Sequence, residues 1–278
     1  MRPGWNPTRR NRHAGTKAHG HGQDNRLTIP QSWRDVRCYF ERLDACVAFS
    51  RMVSGHTIRF LVEPTREGWF YPCTVDDVCT LLGGVAVEAL NAIELIVLRQ
   101  PTRKQAVLSP VWGRAIWWFD APGFSGPAIV LEAQSGKPYR WWSRSPSPEG
   151  MREIKRLRDD GHEVEKSSRG VTVRPTPESL RHTVLYRTLL HELGHHLDHR
   201  RFSDSEWEAR TTSTREDFAH RYATEAFRRL RAAGVVPFPA ALDPDSMARD
   251  RLDVAWFRPA SDEGGPSAND FDEQPSAG

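Results

Sequence analysis

The sequence of 278 residues has no apolar run that approaches the roughly 18–20 residues of a membrane-spanning helix. Its longest apolar stretches, such as 93–98, which is apolar apart from Glu94, have the length of buried strands. The first 26 residues are basic and lack the apolar segment of a secretory signal peptide. We therefore expect no membrane partner and a cytoplasmic location, with non-classical export as an effector as the alternative.

Cysteine is scarce. The chain has four cysteines and no C-x-x-C pair. Because the expected compartment is reducing, we predict no disulfides. Small buried hydrophobic side chains are the favoured interpretation of these residues, over a zinc cluster. They are Cys38, Cys46, Cys73 and Cys79.

A large excess of charge is also lacking, since the net charge is +3. This value is too small to indicate a nucleic-acid partner. The charge is unevenly spread, however: residues 1–30 hold six Lys or Arg and one Asp, and 241–278 hold nine acidic residues and three Arg. Both ends are poor in aliphatic residues, as is typical of disordered segments. We predict a basic disordered head at 1–30, a folded body at 31–238 and an acidic disordered tail at 239–278.

The pattern of the body predicts an α+β fold with a mixed or antiparallel-leaning sheet. A first helix is predicted from Ser32, with helical spacing as far as Val47 and Gly55 as its stop signal. Strands are predicted at 57–64, 93–99, 115–119, 128–133, 139–142 and 170–175, and further helices at 74–82 and 151–160. Two C-terminal helices follow, at 176–199 and at 214–233, each with an N-capping residue.

The first of these two helices contains His191–Glu192–Leu193–Gly194–His195, which has the form H-E-x-x-H. Histidines four positions apart lie on one helical face, so both imidazoles can bind one Zn²⁺. The glutamate between them lies next to that face, where it can take a proton from the attacking water. The motif therefore predicts one zinc ion per chain, bound by His191 and His195, with Glu192 as the general base of peptide-bond hydrolysis.

A catalytic zinc needs a third protein ligand. A metzincin would have a histidine ten residues after His191, and that position is Arg201, so this group is excluded. Glu216, in the first turn of the next predicted helix, is the favoured third ligand, because the apolar stripe of that helix indicates the side that packs on the first helix and Glu216 flanks that side. Asp217 is its rival. The remaining alternatives are Glu206 and Glu208.

The sequence HELGHHLDH, followed by a helix with the pattern E-x-F-A, resembles the gluzincin zinc metallopeptidases, which include thermolysin-like and anthrax lethal factor-like enzymes. The resemblance covers about residues 176–223. It implies a zincin-like fold in which His191, His195 and Glu216 bind zinc. It also implies that Glu192 is the general base.

The resemblance further implies that Asp198 accepts a hydrogen bond from a ligand histidine. The sequence departs from the thermolysin-like pattern at His220, where those enzymes carry an acid four residues after the glutamate ligand. The residue that stabilises the transition state stays open, and each candidate alone is more often an ordinary packed or surface residue. The candidates are Tyr222, His220, Tyr186 and His182.

We therefore expect a zinc metalloendopeptidase that acts on a peptide or protein substrate. The alternative is a non-catalytic zinc-binding regulatory or interaction module on a zincin-like scaffold. The intact Glu192 argues against that alternative, because a structural site has no use for a base. Zincins commonly bind a peptide as an added strand at a sheet edge, and we predict this edge at Gly170–Arg174 or Ala128–Ala133.

Overall fold

The structure is a computed structural model, and it describes residues 43, 45–108, 110–121, 123–141, 146–168 and 170–259. All of these belong to the compact unit Phe40–Gly278. The predicted head at 1–30, Cys38 and most of the helix predicted from Ser32 lie outside the described residues, as does the chain beyond 259.

The described chain contains both strands and helices. The strands are β1 (Val47–Val53), β2 (His56–Val62), β3 (Trp69–Phe70), β4 (Leu95–Arg99), β5 (Gly113–Ala121), β6 (Phe124–Glu132), β7 (Gln134–Ser135), β8 (Tyr139–Trp141), β9 (Glu163–Ser167) and β10 (Gly170–Arg174). The α-helices are α1 (Val75–Gly83), α2 (Val87–Leu90), α3 (Arg103–Leu108), α4 (Pro148–Asp159), α5 (Pro177–Arg181), α6 (Leu189–His199), α7 (Asp204–Ala209), α8 (Thr212–Ala232) and α9 (Pro244–Arg249). A π-helix (His182–Thr188) joins α5 to α6, and a 3-10 helix (Val254–Phe257) follows α9. Over the described ranges, no helix is both long and apolar enough to cross a membrane.

The largest sheet has five strands in the order β1-β2-β4-β6-β5. Strands β2, β4 and β6 are parallel, and the two outer strands are antiparallel to their neighbours. The central strand β4 is buried over its whole length, as expected of a parallel strand that is covered on both faces. A three-stranded antiparallel sheet, β8-β10-β9, and the pair β3-β7 complete the set. The predicted α+β class with a mixed sheet is confirmed.

The apolar side chains of α6 and α8 bury these helices in the same hydrophobic core as the large sheet. Leu189 and Leu193 contribute from α6, and Ala223, Ala226 and Leu230 from α8. Burying a leucine side chain stabilises the fold by about 1.5–3 kcal/mol. The polar residues on the neighbouring faces of both helices are therefore held in place by core packing.

The predicted C-terminal helices are confirmed in extent and corrected in detail. Helical structure runs without a break from Pro177 to His199, and its middle part is the π-helix, which the sequence pattern did not reveal. Helix α8 is capped by Thr211, whose hydroxyl accepts the backbone N–H of Thr214 at 3.2 Å. The helix thus begins earlier than predicted, and Glu216 lies beyond its first turn.

The end of the helix predicted from Ser32 is wrong, because Val47–Val53 form strand β1. Exposure alternates along this segment, as in a strand with one solvated face. Ser54 and Gly55 both have positive φ, at 47° and 81°, which is the conformation of a type I′ hairpin turn. The glycine that indicated a helix stop is therefore part of the β1–β2 turn, and Cys46, before the strand, is exposed rather than buried.

The folded body extends beyond its predicted end. Met247 and Phe257 are buried in the main core. The backbone N–H of Tyr71 donates a hydrogen bond to the carbonyl of Trp256 at 2.8 Å. Residues 239–259, which the charge pattern assigns to the tail, are therefore part of the fold. The few apolar residues that pack into the core here do not stand out when the composition is averaged over the whole segment as far as Gly278.

A buried carboxylate joins three parts of this body. Asp77 is fully buried in the first turn of α1, where it accepts the backbone N–H of Thr74 at 2.8 Å and completes a capping box with that residue. It also accepts hydrogen bonds from Arg181 Nη2 at 3.0 Å and from the backbone N–H of Ala241 at 2.9 Å. These bonds fix the chain after α8 to α1 and α5. Helix α5 is followed by the π-helix, which leads into α6.

Candidate metal centre

The three predicted metal ligands lie together between α6 and α8. The Nε2 atoms of His191 and His195 are 3.1 Å apart. Glu216 Oε2 is 3.3 Å from His191 Nε2, and Glu216 Oε1 is 3.4 Å from His195 Nε2. Two imidazole nitrogens and a carboxylate, all of which offer electron pairs, therefore converge on one point.

A second trio shares two of these residues. One ligand atom each from His191, Glu216 and His220 lies within 4.8 Å of the other two. His220 is one helical turn after Glu216 on α8, and its ring centroid is 4.4 Å from that of His191. The structure thus contains a His–Glu–His group that could bind a metal ion, with a further histidine beside it.

The pKa values of Glu216 and His220 are shifted toward the protonation states that metal binding needs, whereas the pKa of His195 is raised, because burial, which lowers it, is outweighed by its hydrogen bond to Glu216 and by the nearby carboxylate charges. Hydrogen bonds from His191 and His195 hold the pKa of Glu216 well below its usual range. Burial lowers the pKa of His220 to about 4, and the neighbouring charge of His191 acts in the same direction. An ionised carboxylate and a neutral imidazole are the forms in which these groups bind metals.

Glu192, the predicted general base, is almost fully buried beside this cluster, with 9% of its surface exposed. The backbone N–H of Ala115 in β5 donates a hydrogen bond to its carboxylate. Burial raises the pKa of Glu192, and the charges of His191 and His195 oppose this shift. A carboxylate whose pKa is raised toward neutrality is suited to accept and then release a proton.

Gly194, inside the H-E-x-x-H motif, allows α6 and α8 to approach closely. A Cβ atom at this position would lie 3.0 Å from Tyr222 Cδ1 and 3.1 Å from Ala219 Cα, which is tighter than nine in ten real Cβ contacts. Glu216 precedes Ala219 by one turn of α8. The absence of a side chain at Gly194 therefore brings the carboxylate within reach of the two histidines.

Arg215, next to Glu216, fixes the start of α8, and sequence reasoning missed it. Its Nη2 atom donates hydrogen bonds to the carbonyls of Trp207 and Arg210, both at 2.8 Å, and to that of Glu208 at 3.3 Å. These carbonyls lie at the C-terminal end of α7, where the last carbonyls of a helix lack their usual intrahelical partners, and that of Trp207 also accepts the backbone N–H of Arg210 at 3.1 Å. A guanidinium that binds carbonyls five to eight residues earlier leaves no recognisable sequence pattern.

The rival third ligands lie outside the cluster. Asp217 and Glu208 are exposed. Glu206 accepts the backbone N–H of Ser203 at 2.9 Å and so caps α7. Within the described residues, none of these three carboxylates belongs to a group that could hold a metal ion. Glu216 is the acidic residue that the structure brings to the two histidines.

We expect Glu216→Ala to weaken zinc binding by more than about 100-fold, because loss of an outer partner of a ligand alone costs about 10–100-fold. Asp217→Ala is the matched control, one residue along on the exposed side of the same helix, and should leave the affinity nearly unchanged. Competition titration against a chromophoric chelator measures both dissociation constants. Weaker binding in Asp217→Ala than in Glu216→Ala would transfer the ligand role to Asp217.

Asp198 does not have its predicted partner. It is buried and accepts a hydrogen bond from Arg210 Nη2 at 3.0 Å. In the part of the chain that the structure describes, no hydrogen bond joins it to His191 or His195, although its charge favours the protonated form of His195. The guanidinium of Arg210, which the motif does not reveal, binds the Asp198 carboxylate instead. The buried Nδ1 atom of His191 has no hydrogen-bond partner among the described residues.

Two of the candidates for transition-state stabilisation are engaged in other contacts. The hydroxyl of Tyr186 donates to the carbonyl of Phe238 at 3.2 Å and accepts its backbone N–H at 3.1 Å. His182 Nδ1 is 3.0 Å from Asp160 Oδ1, as expected of a hydrogen-bonded pair. Both side chains therefore hold the π-helix against its surroundings.

The other two candidates are on α8 and differ in position. Tyr222 packs against Gly194 and lines a cavity with Arg201 and Phe218. Its buried hydroxyl has no hydrogen-bond partner among the described residues, and burial raises its pKa to about 12. His220 is on the helical face of Glu216. Of the four candidates, His220 is the one that the structure brings to the cluster.

The strand beside the cluster is β5, which is one of the two outer strands of the five-stranded sheet over the described residues. The Trp117 ring of β5 stacks on His199 of α6 at 4.7 Å. Both predicted edge strands are wrong. Of the predicted edge Ala128–Ala133, residues 128–132 lie in β6, between β4 and β5, and Gly170–Arg174 is β10, the middle strand of its sheet. Their apolar character is typical of inner strands, and the order of strands in a sheet is not encoded locally.

Comparisons of the chain with protein-family models, curated proteins and solved structures find no match. The arrangement of the side chains therefore carries the functional argument.

Proposed function

We propose that this protein is a zinc-dependent metallopeptidase with a zincin-like fold. The observation that carries the proposal is the convergence of His191, His195 and Glu216 within 3.1–3.4 Å, beside the buried carboxylate of Glu192. Donors that lie this close repel one another unless a cation or a proton lies between them.

The spacing of the donors supports zinc as that cation. Ligand atoms at about 2.0–2.1 Å from a tetrahedral Zn²⁺ are about 3.3–3.4 Å from one another. The two imidazole nitrogens are 3.1 Å apart, and each is 3.3 or 3.4 Å from a different oxygen of the Glu216 carboxylate, which is close to this spacing. Two histidines with one glutamate are also a donor set of catalytic zinc sites, in which a fourth position stays open.

Zinc at this point would lower the pKa of a water molecule toward 7 and polarise a substrate carbonyl. Glu192 accepts the proton of the attacking water on its carboxylate and delivers it to the leaving amine nitrogen. The backbone N–H of Ala115 orients that carboxylate. The low exposure of Glu192 and His195 keeps bulk water from competing for the proton.

The outer edge of β5 is the proposed binding site for the substrate. A strand edge offers backbone N–H and C=O groups to an extended peptide. Because Ala115 of β5 contacts Glu192, a peptide along this edge lies next to the metal cluster. A register shift between Ile116 and Phe119 interrupts the ladder farther along, where Trp118 is 68% exposed. We propose that the substrate is a peptide or protein bound as an added strand.

His220 favours a second candidate function, a non-catalytic zinc-binding module. Four protein donors make a closed site, as in structural zinc proteins, and His220 supplies a fourth donor near the cluster. The buried carboxylate of Glu192 supports the peptidase instead, because burying a charged group is costly and a structural zinc site gains nothing from it.

Elemental analysis and an unbiased peptide library together test the proposal. The purified full chain is expected to hold one zinc ion per chain and to cleave peptides of the library, as detected by mass spectrometry. A strong chelator should abolish cleavage, and added zinc should restore it. Bound zinc without cleavage would favour the non-catalytic module, and a chain that neither binds zinc nor cleaves peptides would exclude both functions.

A further inference from the structure

We infer that His220 is a fourth protein ligand of the zinc ion in the resting protein, and that it must leave the metal before water or substrate can take its place. The inference rests on the proposed zinc site and adds to it a step that controls access. It also accounts for both a catalytic glutamate and a fourth donor at one site.

The position of His220 on α8 supports this role. Residues four apart on a helix lie on one face, so the imidazole of His220 and the carboxylate of Glu216 lie side by side. One ligand atom from each is within 4.8 Å of the other and of a ring nitrogen of His191. His220 therefore lies next to the part of the cluster that His191 and Glu216 form.

The His220 ring is also free to reach the metal. Other histidines of the described chain are held by hydrogen bonds to a carbonyl, hydroxyl or carboxylate; they include His56, His162, His182 and His196. The imidazole of His220, in contrast, makes no hydrogen bond within the described residues, and its ring contact is with His191. Rotation of this side chain toward the metal or away from it breaks no hydrogen bond.

With His220 bound, the coordination sphere of the zinc ion would be closed, and it would open when the imidazole leaves. Two histidines and one glutamate leave one position of a tetrahedral zinc ion free, and a third imidazole fills it. A protein ligand on this position competes with water and with small anions. Peptide bound along β5 would then have to displace the imidazole, which makes opening of the site dependent on substrate.

The first test measures zinc affinity and access with His220→Ala, and uses Thr224→Ala, an exposed position one turn further on α8, as the matched control. We expect the zinc dissociation constant to rise at least about tenfold in His220→Ala and to stay unchanged in Thr224→Ala. In the cobalt-substituted proteins, azide should change the visible spectrum of His220→Ala at lower concentration than that of the wild type. Equal zinc affinity and equal azide binding in all three proteins would overturn the inference.

The second test uses the wild type alone, so it does not depend on the folding of a variant. X-ray absorption of the zinc-loaded protein should show three imidazole ligands. Two imidazole ligands would overturn the role of His220 and leave the proposed peptidase intact. If the protein has three imidazole ligands, and neither the wild type nor His220→Ala cleaves a peptide, the role of His220 as the fourth ligand is upheld and the peptidase is rejected.

Discussion

Glu192→Gln is expected to lower peptide turnover by about 10²–10⁴-fold, which corresponds to a barrier about 3–5 kcal/mol higher. Glutamine keeps the shape and volume of the side chain but cannot accept the proton of the attacking water. Glu192 is not one of the converging donors, so zinc content should stay at one ion per chain. Turnover of a library peptide is measured at equal zinc occupancy, because removal of a buried charge can shift the metal affinity.

Glu178→Gln is the matched control for this experiment. It makes the same chemical change at an exposed residue near the start of the continuous helix 177–199, 13 residues before the motif begins. Its turnover should equal that of the wild type. If zinc-loaded Glu192→Gln cleaved the peptide as fast as the wild type, Glu192 would not be the general base, and the mechanism proposed here would be wrong.

His191→Ala and His195→Ala are each expected to lose the zinc ion. Each change removes one nitrogen from a cluster whose atoms are 3.1–3.4 Å apart, and the remaining donors bind zinc far more weakly. Ligand binding to the native state stabilises it by about 2.7 kcal/mol at a ligand concentration 100 times the dissociation constant. Zinc should therefore raise the melting temperature of the wild type and leave that of both variants unchanged.

Elemental analysis after gel filtration measures the zinc content. Thermal melts with and without zinc measure the stabilisation by the ion. His56→Ala removes a histidine from β2, outside the cluster, and should keep both its zinc and its zinc-dependent stabilisation. Full zinc retention in His191→Ala and in His195→Ala would place the metal elsewhere in the chain.

Features of the site that depend on local sequence could be predicted. The spacing of His191 and His195 is a property of one helix, and the capping and apolar patterns of 176–199 predicted that helix. The preference for Glu216 follows from the apolar stripe of the following helix, which indicates the side that packs on α6. These inferences need a helix and its amphipathic face, which a sequence displays directly.

Features that depend on contacts between distant segments could not be predicted. Asp198 pairs with Arg210, and Arg215 binds carbonyls at the end of α7. To predict these contacts, one would have to know how α7 and α8 turn back on α6. The edge position of β5 follows from the order of strands, which no local pattern contains. The first helix was overextended because Gly55 ends a helix and turns a hairpin equally well.

Gly194 gives the motif a second constraint, which concerns tolerance to substitution. With a methyl group at this position, α8 would have to move by a few tenths of an ångström to restore ordinary contact with Tyr222 and Ala219. Zinc–ligand distances tolerate only about 0.2 Å of deviation. Substitution of Gly194, which neither binds metal nor transfers a proton, would thus be limited by the distance from Glu216 to a bound zinc ion. The distance between the axes of α6 and α8 would in this way set the affinity of the site for zinc.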